Sequence, residues 1–180
     1  MDIRYNHISL LKENVDSYTL IDLIKKDNWI KKGAVIVNCS PDYSSRLSQL
    51  VNHKLSFIND NELFDRLDLE MPYPINSQIW DPKDEEYKIF DAYIAKWARV
   101  LDRERQYLFI DSATLRGKNF SKVKSNLKMY LPDSNYKFAS LYLQSNSIFK
   151  PDYYVESFDK EKQGGLIFEW ENSKNPNWDY

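Results

Sequence analysis

Cysteine is nearly absent. Cys39 stands alone among 180 residues, which excludes an intrachain disulfide and any zinc site built on cysteines. Histidine is almost as scarce, with only His7 and His53, so a transition-metal centre is not expected. Four glycines leave few places for backbone conformations closed to other residues, and each glycine in a turn carries weight. No apolar run reaches the ~20 residues of a membrane-spanning helix, and Met1 to His7 lacks the apolar stretch of a secretory signal. A cytoplasmic location is the expectation. Neither sign of charge dominates: 25 Lys and Arg against 27 Asp and Glu give a net charge of −2. That balance argues against nucleic acid as a general partner, because affinity for it is dominated by many phosphate contacts. Aromatic residues, by contrast, are plentiful at 15%, with 13 tyrosines, and much of the core must be built from large rings with polar tips.

The length suits one α/β domain, and 42% hydrophobic with 29% charged residues fits a folded chain rather than a disordered one. A first helix is expected from Ser17, as N-cap, to Lys26. Gly33 then opens an apolar strand at Ala34 to Val37, followed by a turn at Ser40 to Asp42 and a short helix carrying Leu47, Leu50 and Val51. Leu55 to Ile58 reads as the next strand. From Asp65 to Asp84, with Pro72, Pro74 and Pro82, no period is visible, and a loop of that length inside a domain is more often functional than accidental. Phe90, Tyr93, Ile94, Trp97 and Leu101 mark the strongest helix. Further strands are expected at Phe138 to Leu143, Tyr153 to Glu156 and Leu166 to Trp170, before a polar tail that Trp178 ties down.

The most informative stretch runs from Tyr107 to Phe120. Tyr107 to Ile110 reads as a buried strand, and Phe120, Val123, Leu127 and Tyr130 recur at helical spacing directly after it. The connection between them holds Asp111 and Gly117 and leads into five cations, Arg116, Lys118, Lys122, Lys124 and Lys128, with no acid among them. In open parallel sheets, ligands bind at the carboxyl ends of strands, and the first amides of the following helix attract anions. A phosphorylated ligand is one reading. A plain strand-to-helix connection with a solvated basic face is the other. Cys39, directly after its strand, reads as a small buried thiol rather than a nucleophile.

The order of pieces from about Ser17 to Glu171 resembles the type I phosphoribosyltransferase fold, nearest to its purine and xanthine-guanine members. Three places carry the resemblance: Ile110-Asp-Ser-Ala-Thr-Leu-Arg-Gly-Lys-Asn119, the pair Ala139 to Gln144 and Phe149 to Tyr154, and Leu166 to Glu171. The resemblance implies an open, mostly parallel sheet flanked by helices in a single domain. It places Asp111 and Ser112 at the catalytic acid positions, Ser112 standing where the family has a second acid. It puts Thr114, Leu115, Arg116, Gly117, Lys118 and Asn119 at the turn for the sugar phosphate, and Cys39 and Ser40 at the pyrophosphate loop. Gln144, Asp152, Tyr153 and Ile167 fall at base-facing positions, with Gln144 where purine members commonly carry a lysine.

Mg²⁺ near Asp111, phosphoribosyl pyrophosphate or a nucleoside monophosphate as ligand, a purine-like base and a homodimer are implied in the same way. On the residues alone, Asp152 either orients a base edge or caps a turn, and of Tyr153 and Tyr154 at least one packs structurally, because strand neighbours point to opposite faces. Two functions remain open: a phosphoribosyl-transferring enzyme, and a catalytically silent relative that binds a nucleotide or a protein. Nucleic-acid binding through the Arg116 to Lys128 face is the third and weakest.

Overall fold

The computed structural model describes residues 5–39, 41–69 and 84–169. Its elements in chain order are β1 (Tyr5–Ile8), α1 (Leu10–Asp27), β2 (Val35–Asn38), α2 (Pro41–Leu55), β3 (Asp65–Asp68), α3 (Asp84–Arg99), β4 (Tyr107–Thr114), α4 (Lys118–Leu127), β5 (Tyr136–Gln144), β6 (Tyr153–Phe158), α5 (Lys160–Gln163) and β7 (Gly165–Phe168). Five strands form one parallel sheet in the order β3-β2-β4-β5-β6, and β1 pairs with β7 in a separate two-stranded sheet. The open parallel sheet flanked by helices expected from the sequence is therefore present.

Buried strands explain the central order. All four residues of β2 and the first four of β4 are buried, the continuous apolar signature of strands covered on both faces. One face packs Ile36, Leu108, Ile110 and Ala139 under Leu20, Ile21 and Ile24 of α1 and Leu47 and Val51 of α2. The other packs Val37, Phe109 and Phe138 under Ile94 and Ala98 of α3 and Phe120 and Val123 of α4. Phe109 stacks on Phe138 at 5.1 Å, and Phe138 in turn meets Phe120 at 4.9 Å and Phe149 at 5.0 Å.

Four expectations change. The strand expected at Leu55 to Ile58 is the last residue of α2 followed by a 3-10 turn, Ser56–Asn59. Leu47, Val51 and Leu55 are all fully buried, so Leu55 completes a helical stripe rather than opening a strand. Within the segment from Asp65 that shows no period, Asp65–Asp68 is an edge strand. All four of its side chains are exposed, and pairing to β2 through the backbone leaves no apolar signature. Helix α1 begins seven residues before Ser17, at Leu10, with Ser9 as N-cap accepting from the Lys12 amide at 3.1 Å. Its first turns escape notice because Leu11 and Val15 face solvent. β4 continues to Thr114, paired with β5 as far as Leu143, so Asp111 to Thr114 are strand and only Leu115 to Gly117 connect to α4. Residues 70–83, Trp170 and the tail lie outside the described residues.

Candidate functional site at the carboxyl end of strand β4

β4 delivers Asp111 half-buried to the carboxyl side of the sheet, where one carboxylate oxygen, Oδ1, accepts the Ser112 amide at 2.8 Å. Cys39 leaves β2 beside it, its amide donating to the Ile110 carbonyl at 2.9 Å. Burial, and then the charge of Asp111, push the Cys39 thiol well above its ordinary range. The thiol is fully buried, so it is held neutral and inert. Ser112 is also buried. Thr114, expected to offer its hydroxyl to a phosphate, is buried and directs that hydroxyl to Ser140 Oγ at 3.1 Å.

The turn itself is tight. Leu115 packs against the core shared with α1 and α2, while Arg116 is exposed and Lys118 and Asn119 are half-buried. Gly117 adopts the left-handed conformation (φ 74°) as N-cap of α4 and, being glycine, brings no capping side chain of its own. The first bond back into the turn is Ser121 N–H to the Gly117 carbonyl at 3.0 Å; the amides of Lys118, Asn119 and Phe120 precede it and form the positive end of the helix dipole.

Above Gly117 lies the segment after β5. A Cβ on Gly117 would come within 2.3 Å of Ser147 Oγ and 2.7 Å of the Phe149 backbone nitrogen and Cβ. The Ile148 amide donates to the Arg116 carbonyl at 3.2 Å. Nothing in the residue types of 145–149 marked this segment as the cover of the turn; only the return of the chain across the sheet places it there.

The remaining expected residues fall into two groups. Gln144 ends β5 one strand away from Thr114, with Leu143 paired to Thr114, and its amide donates to Asn146 Oδ1. It shares the carboxyl side of the sheet with Asp111 and the turn. Asp152 and Tyr153 do not join that cluster. Asp152 precedes β6 and accepts the Phe138 amide at 2.8 Å. Tyr153 packs in the core beneath α1 and donates its hydroxyl to Asp27, the last residue of α1, at 2.5 Å. Burial, reinforced by Asp27, raises the pKa of that hydroxyl. Lys137 binds the same carboxylate oxygen and lies 5.1 Å from the Tyr153 ring centre. Tyr154 instead stands half-exposed in register with Ser140 and, through it, Asp111. Ile167 is buried in β7, paired with His7 of β1. Ser40 lies outside the described residues.

Among the described residues, no three His, Cys, Asp or Glu side chains gather as a metal-binding group. Asp111 offers a single carboxylate, which by itself does not make a Mg²⁺ site. Mg²⁺ ordinarily takes one or two carboxylates and completes its shell with substrate phosphates and water, and to that arrangement one carboxylate is suited.

No protein-family model matches this chain, and no characterised protein sequence does either. Solved structures do match. The Helicobacter pylori xanthine-guanine-hypoxanthine phosphoribosyltransferase superposes with a TM-score of 0.59 at 16% identity, covering 97% of each chain. A purine phosphoribosyltransferase from Pyrococcus horikoshii gives 0.56 at 15% identity, covering 92% of this chain and 93% of that one. A hypothetical protein from Neisseria gonorrhoeae with bound ppGpp gives 0.58 at 12% identity, covering 95% and 91%. At such identities the likeness is one of fold, and the fold is type I phosphoribosyltransferase-like.

Proposed function

We propose that this chain, built on a type I phosphoribosyltransferase-like fold, binds a phosphorylated ribose compound at the carboxyl end of β4. The ligand is phosphoribosyl pyrophosphate or a nucleoside monophosphate with a purine-like base. The observation that carries the reading is that β4 carries a half-buried carboxylate, Asp111, and leads six residues later to the glycine N-cap of α4. Asp111 accepts hydrogen bonds from the ribose hydroxyls. The first amides of α4, with Arg116 and Lys118, take the phosphate. A homodimer and a cytoplasmic location belong to the same reading; among the described residues no helix is long and apolar enough to cross a membrane.

Transfer of the phosphoribosyl group is the more demanding function. Its transition state carries positive charge on the sugar, and the leaving pyrophosphate needs neutralising. Mg²⁺ arriving on the pyrophosphate would supply that neutralisation, with Asp111 as its one protein carboxylate. Two observations favour binding without transfer: Ser112 offers a buried hydroxyl where a second charge would sit, and Thr114 spends its hydroxyl on Ser140. The ppGpp-bound neighbour supports the view that a nucleotide can be held on this fold.

Calorimetric titration with phosphoribosyl pyrophosphate and Mg²⁺, and then with nucleoside monophosphates, tests the proposal. Binding that weakens about tenfold or more in Asp111→Asn, equivalent to the loss of one charge-assisted hydrogen bond, is the expected result. Pyrophosphate release in the presence of a base would establish the enzyme. Absence of binding to every one of these ligands overturns the reading.

A further inference from the structure

The end of α4 remote from the Gly117 turn carries a surface that the proposed ligand site does not use. Helices α3 and α4 run parallel: Lys122 bonds Asp91 and Arg99 bonds Tyr130, each pair 31 residues apart in sequence. Both helices therefore end on the same side of the molecule. There an open groove of about 410 Å³ is lined by Arg103, Glu104 and the segment from Lys128 to Pro132. Met129 in its lining is 61% exposed, and Val100, one residue past the end of α3, is 79% exposed.

Four cations on these two helix ends outnumber the exposed acids Asp102 and Glu104. Lys96, Arg99, Arg103 and Lys128 are all exposed, and none makes an ion pair among the described residues. Helix dipoles account for part of this, since cations in a last turn offset the partial negative charge of its carbonyls. They do not account for Arg103, four residues beyond the end of α3, because the dipole effect fades within the last turn.

We propose that this surface docks an acidic protein segment that inserts an apolar side chain between Val100 and Met129 and sets its carboxylates against Arg99, Arg103 and Lys128. Charge complementarity selects the acidic partner. The exposed aliphatic pair selects a peptide over a nucleic acid, with Met129 able to adapt its shape to the inserted group. A single strand of nucleic acid would need an open aromatic face for its bases. The nearest ring, Tyr130, already has its hydroxyl bonded to Arg99 Nε at 2.9 Å and the Arg99 guanidinium 5.7 Å from its centre.

Fluorescence anisotropy on the full chain tests this with three labelled probes: a short peptide of Asp and Glu carrying Leu and Phe, an all-Glu peptide of the same charge, and an oligothymidylate. The mixed peptide should bind most tightly, and weaken as ionic strength rises. Arg103→Glu combined with Lys128→Glu should weaken it by about tenfold or more, and Val100→Ser combined with Met129→Ser by about threefold. All four positions are exposed, and unchanged circular dichroism would show that the variants fold. Failure of the mixed peptide to bind, equal binding of the all-Glu peptide, tighter binding of the oligothymidylate, or indifference to the substitutions would each overturn the proposal.

Discussion

Replacing Gly117 by alanine probes how the turn at the end of β4 is built, and Gly33→Ala supplies its internal standard. Both glycines have left-handed backbones, with φ of 74° and 79°, so an alanine at either position meets the same backbone strain of about 1–2 kcal/mol. Both substitutions also restrict the unfolded chain by the same amount. The surroundings differ. A Cβ at position 33 meets nothing within 4 Å, whereas at 117 it meets Ser147 Oγ at 2.3 Å and Phe149 backbone nitrogen and Cβ at 2.7 Å. The serine hydroxyl can swing away. Phe149 cannot yield easily, because its ring is wedged between Phe120 and Phe138. Forcing apart such a contact costs about 1–3 kcal/mol, so Gly117→Ala should lose about 2–5 kcal/mol in all. Urea unfolding followed by tryptophan fluorescence measures both variants. Adding Ser147→Gly to Gly117→Ala should recover only the part due to the hydroxyl. Equal destabilisation at 33 and 117 would show that the 145–149 segment does not rest on the turn, and the account of that cover would fail.

Alkaline stability should depend on the buried tyrosines, Tyr107, Tyr136, Tyr142 and Tyr153, of which the last two are bonded to α1 carboxylates. Burial, reinforced by Asp16 for Tyr142 and by Asp27 for Tyr153, raises the pKa of both hydroxyls. The folded chain then keeps protons that ordinary phenols lose near pH ~10. The stabilisation is whole below that pH and is lost as pH rises through the folded values. Urea midpoints should fall above pH ~10 in the parent and fall less steeply in Tyr142→Phe plus Tyr153→Phe; an equally steep fall refutes the assignment. Cys39 should resist iodoacetamide in the native chain and react on unfolding, since its thiol is buried and held neutral; rapid native alkylation would contradict that burial. Asn52 clasps Phe64, donating to its carbonyl at 2.8 Å and accepting its amide at 2.7 Å. Asn52→Leu strands both backbone groups and should cost about 2–4 kcal/mol by chemical denaturation, with a loss under ~1 kcal/mol counting against the clasp.

Much of the architecture was legible because buried parallel strands and amphipathic helices write their environment into residue type. Ala34 to Val37, Tyr107 to Ile110 and Phe138 to Leu143 announce inner strands by their largely apolar runs, and Ile94 and Trp97 announce the core-facing side of α3. Elements that earn no apolar signature were missed or misread. β3 is held by backbone pairing and by polar contacts of Asp65 and Asp68, the first turns of α1 expose Leu11 and Val15, and Leu55 belongs to a helical stripe that looks like a strand when read together with Phe57 and Ile58. The site was legible only as a set of candidates. Asp111 lies in β4, the strand that leads to the Gly117 turn, while Asp152 and Tyr153, from the base-facing stretch, are taken up by the Phe138 amide and Asp27.

What the chain's own residues determined is the layering: which segments must be covered on both faces and where a helix follows a strand. What only the tertiary structure decided is which polar groups remain available to a ligand. A side chain's hydrogen-bond partner is usually distant in sequence, as Tyr153 is from Asp27 and Thr114 from Ser140. Local residue patterns encode burial, but only the folded chain brings donor and acceptor within reach.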